Sequence, residues 1–542
     1  MFKRVSALLL SLCLLGLTAT ACGNSDSSKS SSKTSEESSR AETEPTTEIK
    51  TNLPKIDMSK WLYSEDQEVY YQIGVSYCEK PADETYEKLS VFVPAAYMDG
   101  TANGDGTFTC NLNGKEINSY TSSTAPIVMP INTPGYASDP AFENDEELIR
   151  HVLGEVTKYT STGFVFVHSG CRGIDEGAPA GVTDLKAAIR YLRYCDDVIA
   201  GDAEKLFVFG MSGGGAQAAI LGAAGDSELY TPYLKSIGAV EGVSDSVFGA
   251  MTWCPITDLD TADAEYEWMM GSSRTGRSKE EQAISDSLAE AFADYVNSAG
   301  FTDKNGNALT LTKSEDGIYQ AGSYYDYIKS EIERSLNNYL SDSTASTDDA
   351  QKYIDSLNAD EKWISYDKST NTAKITSIKA FVKHCKNPSD FVVAFDKPKG
   401  ENPLFGYGDC KGAHFDKILA DILTKLNIEY AAEYNADLAK TDSFGNSVEY
   451  RVNMYTPLYY LMKSRGGFGK SRVAENWRIR TGIEQMSTSV TTEINLALAL
   501  EHYDGVKSVD FETVWALDHT EAERTGESTD NFIEWVKACS KA

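Results

Sequence analysis

Lys205–Gly225 reads KLFVFGMSGGGAQAAILGAAG. Leu206–Phe209 is a short, continuous apolar run, the pattern of a strand buried on both faces. The alanine-rich stretch from Gly215 favours helix. Between them Gly210–Gly214 spells G-x-S-x-G. In a strand–turn–helix frame this motif puts a serine on a sharp, strained turn, with its Oγ above the sheet and the helix N-terminus behind it. A glycine-rich turn that merely starts a helix would look the same over four residues, so the partners of Ser212 decide between the two.

The surroundings repeat the alternation. EVYYQIGVSY and YEKLSVFVPAAYM read as the first two strands, rich in Val, Tyr and Phe. APIVMPINTPGY is a buried strand ending in a Pro/Gly turn, and GFVFVHSGCRG is another. VTDLKAAIRYLRY places Leu185, Ile189 and Leu192 on one face, as a helix against a sheet does. After the serine turn comes SVFGAMTWCPITDLD. Residues 263–470 then read as mainly helical, with FTDKNGNALTLTKSEDGIYQAG as a hairpin carrying Asn-Gly and Asp-Gly turns. Alternation resumes at NWRIRTG, passes through INLALALEHY and VDFETVWALDH, and closes with the helix DNFIEWVKAC. The pattern predicts an α/β protein with a mostly parallel sheet, its core in residues 56–262 and 471–542, interrupted by a helical insertion over 263–470.

A serine nucleophile needs a base. The chain has six histidines: His151, His168, His384, His414, His502 and His519. The motif's chain order is serine, acid, histidine, with the histidine after the last strand. His519 stands there, directly after VDFETVWALD, while His168 ends an earlier strand and could line the site. The acid belongs on the loop after NWRIR, where Glu484 is the carboxylate; Asp258 and Asp260, after the preceding strand, are the alternatives. An acid in this place orients the imidazole and stabilises its cation. The oxyanion hole takes the backbone N–H of Gly213 and a second from INTPGY. Pro134 has no N–H, which leaves Thr133, or Gly135.

Whole-chain properties narrow the class. The 542 residues carry 81 acidic and 50 basic side chains, a formal charge of −31, which repels nucleic acid and anionic lipid. Lys3 and Arg4 followed by VSALLLSLCLLGLTA read as a signal segment, and TATAC ending at Cys22 has the pattern of a bacterial lipoprotein signal with Cys22 lipidated (residues 1–22). The Ser/Thr/Glu-rich stretch after it, within residues 23–55, reads as a disordered tether. These features together predict an extracytoplasmic, membrane-anchored lipoprotein. The ten cysteines show no C-x-x-C spacing, so a zinc site is not expected.

VPAAYM, PINTPGY, GCRG, the long stretch GVTDLKAAIRYLRYCDDVIAGDAEKLFVFGMSGGGAQAAILGA, CPITDLDTADAEYEW, KGENPLFG, NWRIRTGI and HTEAERTG together resemble bacterial tannases of the subtype B group and their tannase-like esterase relatives. The resemblance covers nearly all of residues 56–542. It implies an α/β-hydrolase with a large helical lid, acting on galloyl or related phenolic esters, with Ser212 as nucleophile and His519 as base. Family tannases carry an aspartate in the loop after RIR; here Glu484 stands near that place, with Gln485 beside it. They hold galloyl hydroxyls with a lysine, a glutamate and a second aspartate, which by resemblance fall at Lys386, Glu401 and Ser487. A serine at the third position departs from the pattern, so esterase is the safer expectation than tannase.

The sequence therefore predicts a serine ester hydrolase that works through an acyl-enzyme and needs neither cofactor nor metal. Its partner is a small ester; the membrane enters only through the anchor, and nucleic acid not at all. A serine peptidase of the same fold and a catalytically inactive, solute-binding lipoprotein are the alternatives.

Overall fold

The structure, a computed structural model, describes residues 48–143, 146–386, 402–407, 412–485 and 488–541. The expected signal segment and nearly all of the expected tether therefore lie outside the described residues. The end of that tether is not loose. From Glu48 the chain packs on the core: Lys50 and Glu241 exchange backbone hydrogen bonds of 3.0 and 3.1 Å, and Leu53 is buried.

Thirteen strands are described: β1 Leu62–Ser64, β2 Val69–Ser76, β3 Lys88–Pro94, β4 Met98–Ala102, β5 Phe108–Leu112, β6 Pro126–Pro130, β7 Val165–Ser169, β8 Asp202–Met211, β9 Gly249–Trp253, β10 Ile364–Asp367, β11 Thr372–Ile375, β12 Asn476–Gly482 and β13 Ser508–Val514. Nine of them form one sheet in the order β1-β2-β3-β7-β6-β8-β9-β12-β13. β1, β2, β3 and β7 pair antiparallel; from β7 through β6, β8, β9 and β12 to β13 every pairing is parallel. Parallel strands need crossovers, and those crossovers supply the helices that cover both faces. This is why β6, β7, β9 and β12 are buried at every position.

One face carries the final helix, Ser528–Ser540. Its Phe532 stacks on Phe209 of β8 with ring centroids 4.1 Å apart, and its Trp535 meets Phe207 edge-on at 5.5 Å. The helix Ala180–Tyr194 is buried along almost its whole length, including Lys186, whose ammonium bonds Asp245 and the carbonyl of Ala224 at 2.6 Å each. A buried lysine survives only when so paired.

Over the described residues of 263–470 the elements are mainly helices, but the expected hairpin is not a ladder. FTDKNGNALTLTKSEDGIYQAG makes two tight turns held by single bridges, Thr302 to Ala308 and Thr312 to Ala321. The Asn-Gly and Asp-Gly dipeptides set the turns as expected, but the flanking residues lack the alternating apolar face that would pair them. A true two-stranded sheet, β10–β11, lies further on. The insertion also protects the sheet. The helix Ser323–Ser343 runs beside the edge strand β13, where Ser335 Oγ donates to the Thr513 carbonyl at 2.8 Å and Arg334 bonds Glu512 at 2.6 Å. An uncovered edge strand is a template for aggregation.

Candidate active site

Four loops leave the carboxyl ends of β6, β8, β12 and β13, and the parallel register brings them to one side of the sheet. β8 ends at Met211 in extended backbone, and Ser212 follows at φ 62°, a left-handed value unusual for a residue with a Cβ. It opens the helix Ser212–Ala223. Strain of this kind persists only where the surroundings impose it. Here Gly213 abuts the turn after β6: a Cβ on Gly213 would lie 2.4 Å from Tyr136 N and 3.0 Å from Gly135 N. That turn is fixed to the elbow helix by Thr133 Oγ1, which donates to Gln217 Oε1 at 2.9 Å. Tyr136 N–H is already taken by the Thr133 carbonyl at 2.8 Å. Thr133, the expected donor, is buried behind the turn, whereas the Gly135 amide lies directly over the elbow.

His519 follows β13 and meets the serine. Its Nε2 is 2.8 Å from Ser212 Oγ. Its loop lies against the end of β12, where a Cβ on Gly482 would come 2.1 Å from the Asp518 carbonyl. Only glycine fits beneath the histidine loop. Cys254, at the end of β9, ties the same three segments together: its thiol accepts from Gly482 N–H at 3.3 Å and donates to the Thr520 carbonyl at 3.1 Å.

The residue on the other ring nitrogen is not the expected one. His519 Nδ1 is 2.6 Å from Gln485 Oε1, and Gln485 is 1% exposed. Glu484, one residue earlier, points elsewhere. Its N–H donates to the Leu517 carbonyl at 3.0 Å, and burial, partly offset by Lys386, holds its carboxyl above the ordinary range. The alternatives do not meet the ring either. Asp260 pairs with Arg465. Asp258 is wholly buried, and burial together with Glu265 and Asp260 raises its carboxyl well above the usual carboxylate range. The position expected to hold an acid thus holds a neutral amide.

Lys386 is the other correction. It does not project freely into a binding site: its Nζ donates to the Gln485 carbonyl at 2.6 Å and the Thr488 carbonyl at 2.8 Å. Two of its three donors clamp the loop that carries Gln485, and burial pushes its pKa down to about 8. Glu401 and Ser487, the other two expected substrate contacts, lie outside the described residues. His168 is buried, stacked on Phe142 with centroids 3.6 Å apart and bonded to Asp139 at 3.2 Å. His414 stacks on Tyr434, and His502 bonds the Asp303 carbonyl. Among the described residues no cluster of His, Cys, Asp and Glu could hold a metal ion.

A serine on a strained elbow, an imidazole within hydrogen-bond reach and backbone amides above a helix N-terminus can together deprotonate a hydroxyl and stabilise the oxyanion that its attack creates. The BD-FAE family model, an esterase family within the α/β-hydrolases, matches residues 117–317, a span that includes Ser212 and the Thr133–Tyr136 turn. The chain has the α/β-hydrolase fold. Among solved α/β-hydrolases it is similar to the tannin acyl hydrolase of Lactobacillus plantarum, with 26% identity over 87% of this chain and 94% of that one and a TM-score of 0.68. The same enzyme in complex with ethyl gallate matches at 26% identity over 89% and 96%, TM-score 0.67. The tannase of Fusobacterium nucleatum matches at 26% over 89% and 97%, also with a TM-score of 0.67. No curated protein sequence matches. An α/β-hydrolase with these neighbours is supported as a carboxylic-ester hydrolase.

Glu484→Gln is expected to leave kcat within about threefold of wild type, because its half-buried carboxyl does not face the His519 ring and the amide keeps its size. Steady-state kinetics on an aryl ester check this. A loss of about 10⁴-fold, the cost of removing a triad carboxylate, would return Glu484 to the acid's role.

Proposed function

We propose that the protein is a serine ester hydrolase acting on aryl or phenolic esters, outside the cytoplasm and tethered through Cys22. The observation that carries the mechanism is the 2.8 Å contact between Ser212 Oγ and His519 Nε2 on a residue held at φ 62°. Ser212 Oγ attacks the ester carbonyl carbon as its proton passes to Nε2. The oxyanion is met by the amides of Gly213 and Gly135. The C–O bond to the alcohol then breaks, and the alcohol leaves with the proton from Nε2. Water adds to the acyl-enzyme by the same route in reverse and releases the acid. The phenolic preference rests on the similarity to enzymes solved with ethyl gallate and 3,4-dihydroxybenzoate.

Hydrolysis of a panel of gallate, ferulate, acetate and butyrate esters, beside aminoacyl anilides, tests this reading. Turnover of phenolic esters above the anilides supports it; turnover of anilides alone would make the protein a peptidase.

The pH profile has a definite direction. Packing around the His519 ring lowers its pKa below 6.5, with Asp518 opposing that shift. Its neighbour at Nδ1 is neutral and adds no charge that would raise it. The base works as neutral imidazole, so kcat/KM should rise with pH through a midpoint below 6.5. Asp518→Asn removes the opposing charge and should move that midpoint lower still. A midpoint above 7 would mean that a carboxylate, not Gln485, faces the ring.

A further inference from the structure

An amide has two ends, and only one of them suits His519. Gln485 Oε1 accepts from Nδ1–H and leaves Nε2 bare to take the Ser212 proton. A flipped amide would present N–H to Nδ1, put the imidazole proton on Nε2 and block the transfer. Something must choose the end. Behind Gln485, in the first turn of the helix Thr491–Glu501, stands Glu493, 0% exposed. Its Oε1 receives Gln485 Nε2 at 3.1 Å and Thr481 Oγ1 at 2.9 Å. Gln485 Nε2 also donates to Thr481 Oγ1 at 2.6 Å. The threonine's single proton goes to Glu493 at 2.9 Å rather than to the weaker Cys254 sulfur at 3.8 Å, so towards Gln485 it can only accept. Two acceptors therefore face the far end of the amide and exclude its oxygen. Oε1 stays an acceptor whether the carboxyl is ionised or protonated on Oε2.

We propose that Glu493 is a positioning residue of the active site: acting through the Gln485 amide, its carboxyl group fixes the tautomer of His519, so that the site works as a Ser212–His519–Gln485–Glu493 relay. The carboxyl group that orients the histidine stands one side chain further back and on a helix rather than on the loop after β12. The inference rests on the ester-hydrolase reading above.

The experiment compares the full chain as wild type, Ser212→Ala, Glu493→Gln and the exchange Gln485→Glu with Glu493→Gln, reading kcat and KM on 4-nitrophenyl acetate and the imidazole ¹⁵N shifts of His519. A glutamine at 493 can offer either end to its neighbour, so the bias is lost. Glu493→Gln should lower kcat about 10–100-fold with little change in KM, the scale of one buried charge-assisted hydrogen bond, and move the proton from Nδ1 towards Nε2. The exchange reverses the chain of donors: a carboxylate at 485 accepts from Nδ1–H and from Thr481, and the amide at 493 donates to Thr481. It should recover at least about tenfold in kcat over Glu493→Gln. Unchanged kcat and an unchanged tautomer in folded Glu493→Gln would overturn the relay. If Glu493→Gln does not fold, the exchange decides alone: a kcat loss under about tenfold relative to wild type supports the relay, and a larger one overturns it. Ester hydrolysis surviving in Ser212→Ala would strike at the ester-hydrolase reading itself, whereas a dead Ser212→Ala beside a fully active Glu493→Gln would strike at the relay alone.

Discussion

Ser212→Ala should lower kcat for ester hydrolysis by about 10⁶-fold, the scale on which a serine hydrolase loses its nucleophile, and leave the fold intact. The side chain contributes little to packing. It projects from an elbow at φ 62° towards His519, and the core beneath it is built by Phe207, Val208 and Phe209 of β8. Removing Oγ also removes the barrier to a smaller residue in that strained backbone only in part, since alanine keeps the Cβ; stability should therefore be near wild type. Circular dichroism and thermal unfolding beside the kinetics separate loss of chemistry from loss of structure. A folded variant with wild-type turnover would show that some other group attacks.

Gly213→Ala, outside the Ser212–His519 pair, should cost about 10²–10³-fold in kcat, the cost of losing one oxyanion donor. A methyl group there would lie 2.4 Å from Tyr136 N and 3.0 Å from the Gly135 backbone. The neighbour cannot yield easily. Tyr136 is held by its N–H to the Thr133 carbonyl, by its carbonyl to Ile174 N–H, both at 2.8 Å, and by its hydroxyl to the Ile256 carbonyl at 2.6 Å. The methyl must therefore push apart the two strands of backbone whose amides face the reacting carbonyl. KM for a small ester should change far less than kcat, because the donors act on the oxyanion and not on the ground-state carbonyl. Unchanged kcat would mean that the turn after β6 takes no part in the chemistry.

What the sequence made legible was local. The elbow could be read because strand, turn and helix lie in one continuous stretch, Asp202–Ala223, and His519 because chain order alone sends it to the loop after the last strand. Glu484 failed for the opposite reason. Which residue of a short loop faces the histidine is set by contacts distant in sequence: Glu484 N–H to Leu517, Gly482 N–H to Cys254, and Lys386 to the Gln485 carbonyl. A shift of one position exchanges the side chain that points in. Gln485 stood beside the expected acid, but an amide carries no signal of general catalysis until Glu493 is seen behind it. Lys386 was read by resemblance as a substrate contact, and its two carbonyl partners belong to a loop about a hundred residues away. In the insertion, Asn-Gly and Asp-Gly marked turns correctly, but a turn does not make a ladder without an apolar face for its strands to share.

The central claim is that Ser212 is an activated nucleophile, and covalent labelling with a fluorophosphonate tests it most directly. Such a reagent phosphonylates a serine whose proton can be removed and whose oxyanion is stabilised, with loss of fluoride. The account predicts one adduct, located by peptide mass spectrometry on Ser212, absent from Ser212→Ala and strongly slowed in His519→Ala. An unlabelled native protein, or an adduct on a different residue that persists in Ser212→Ala, would contradict it.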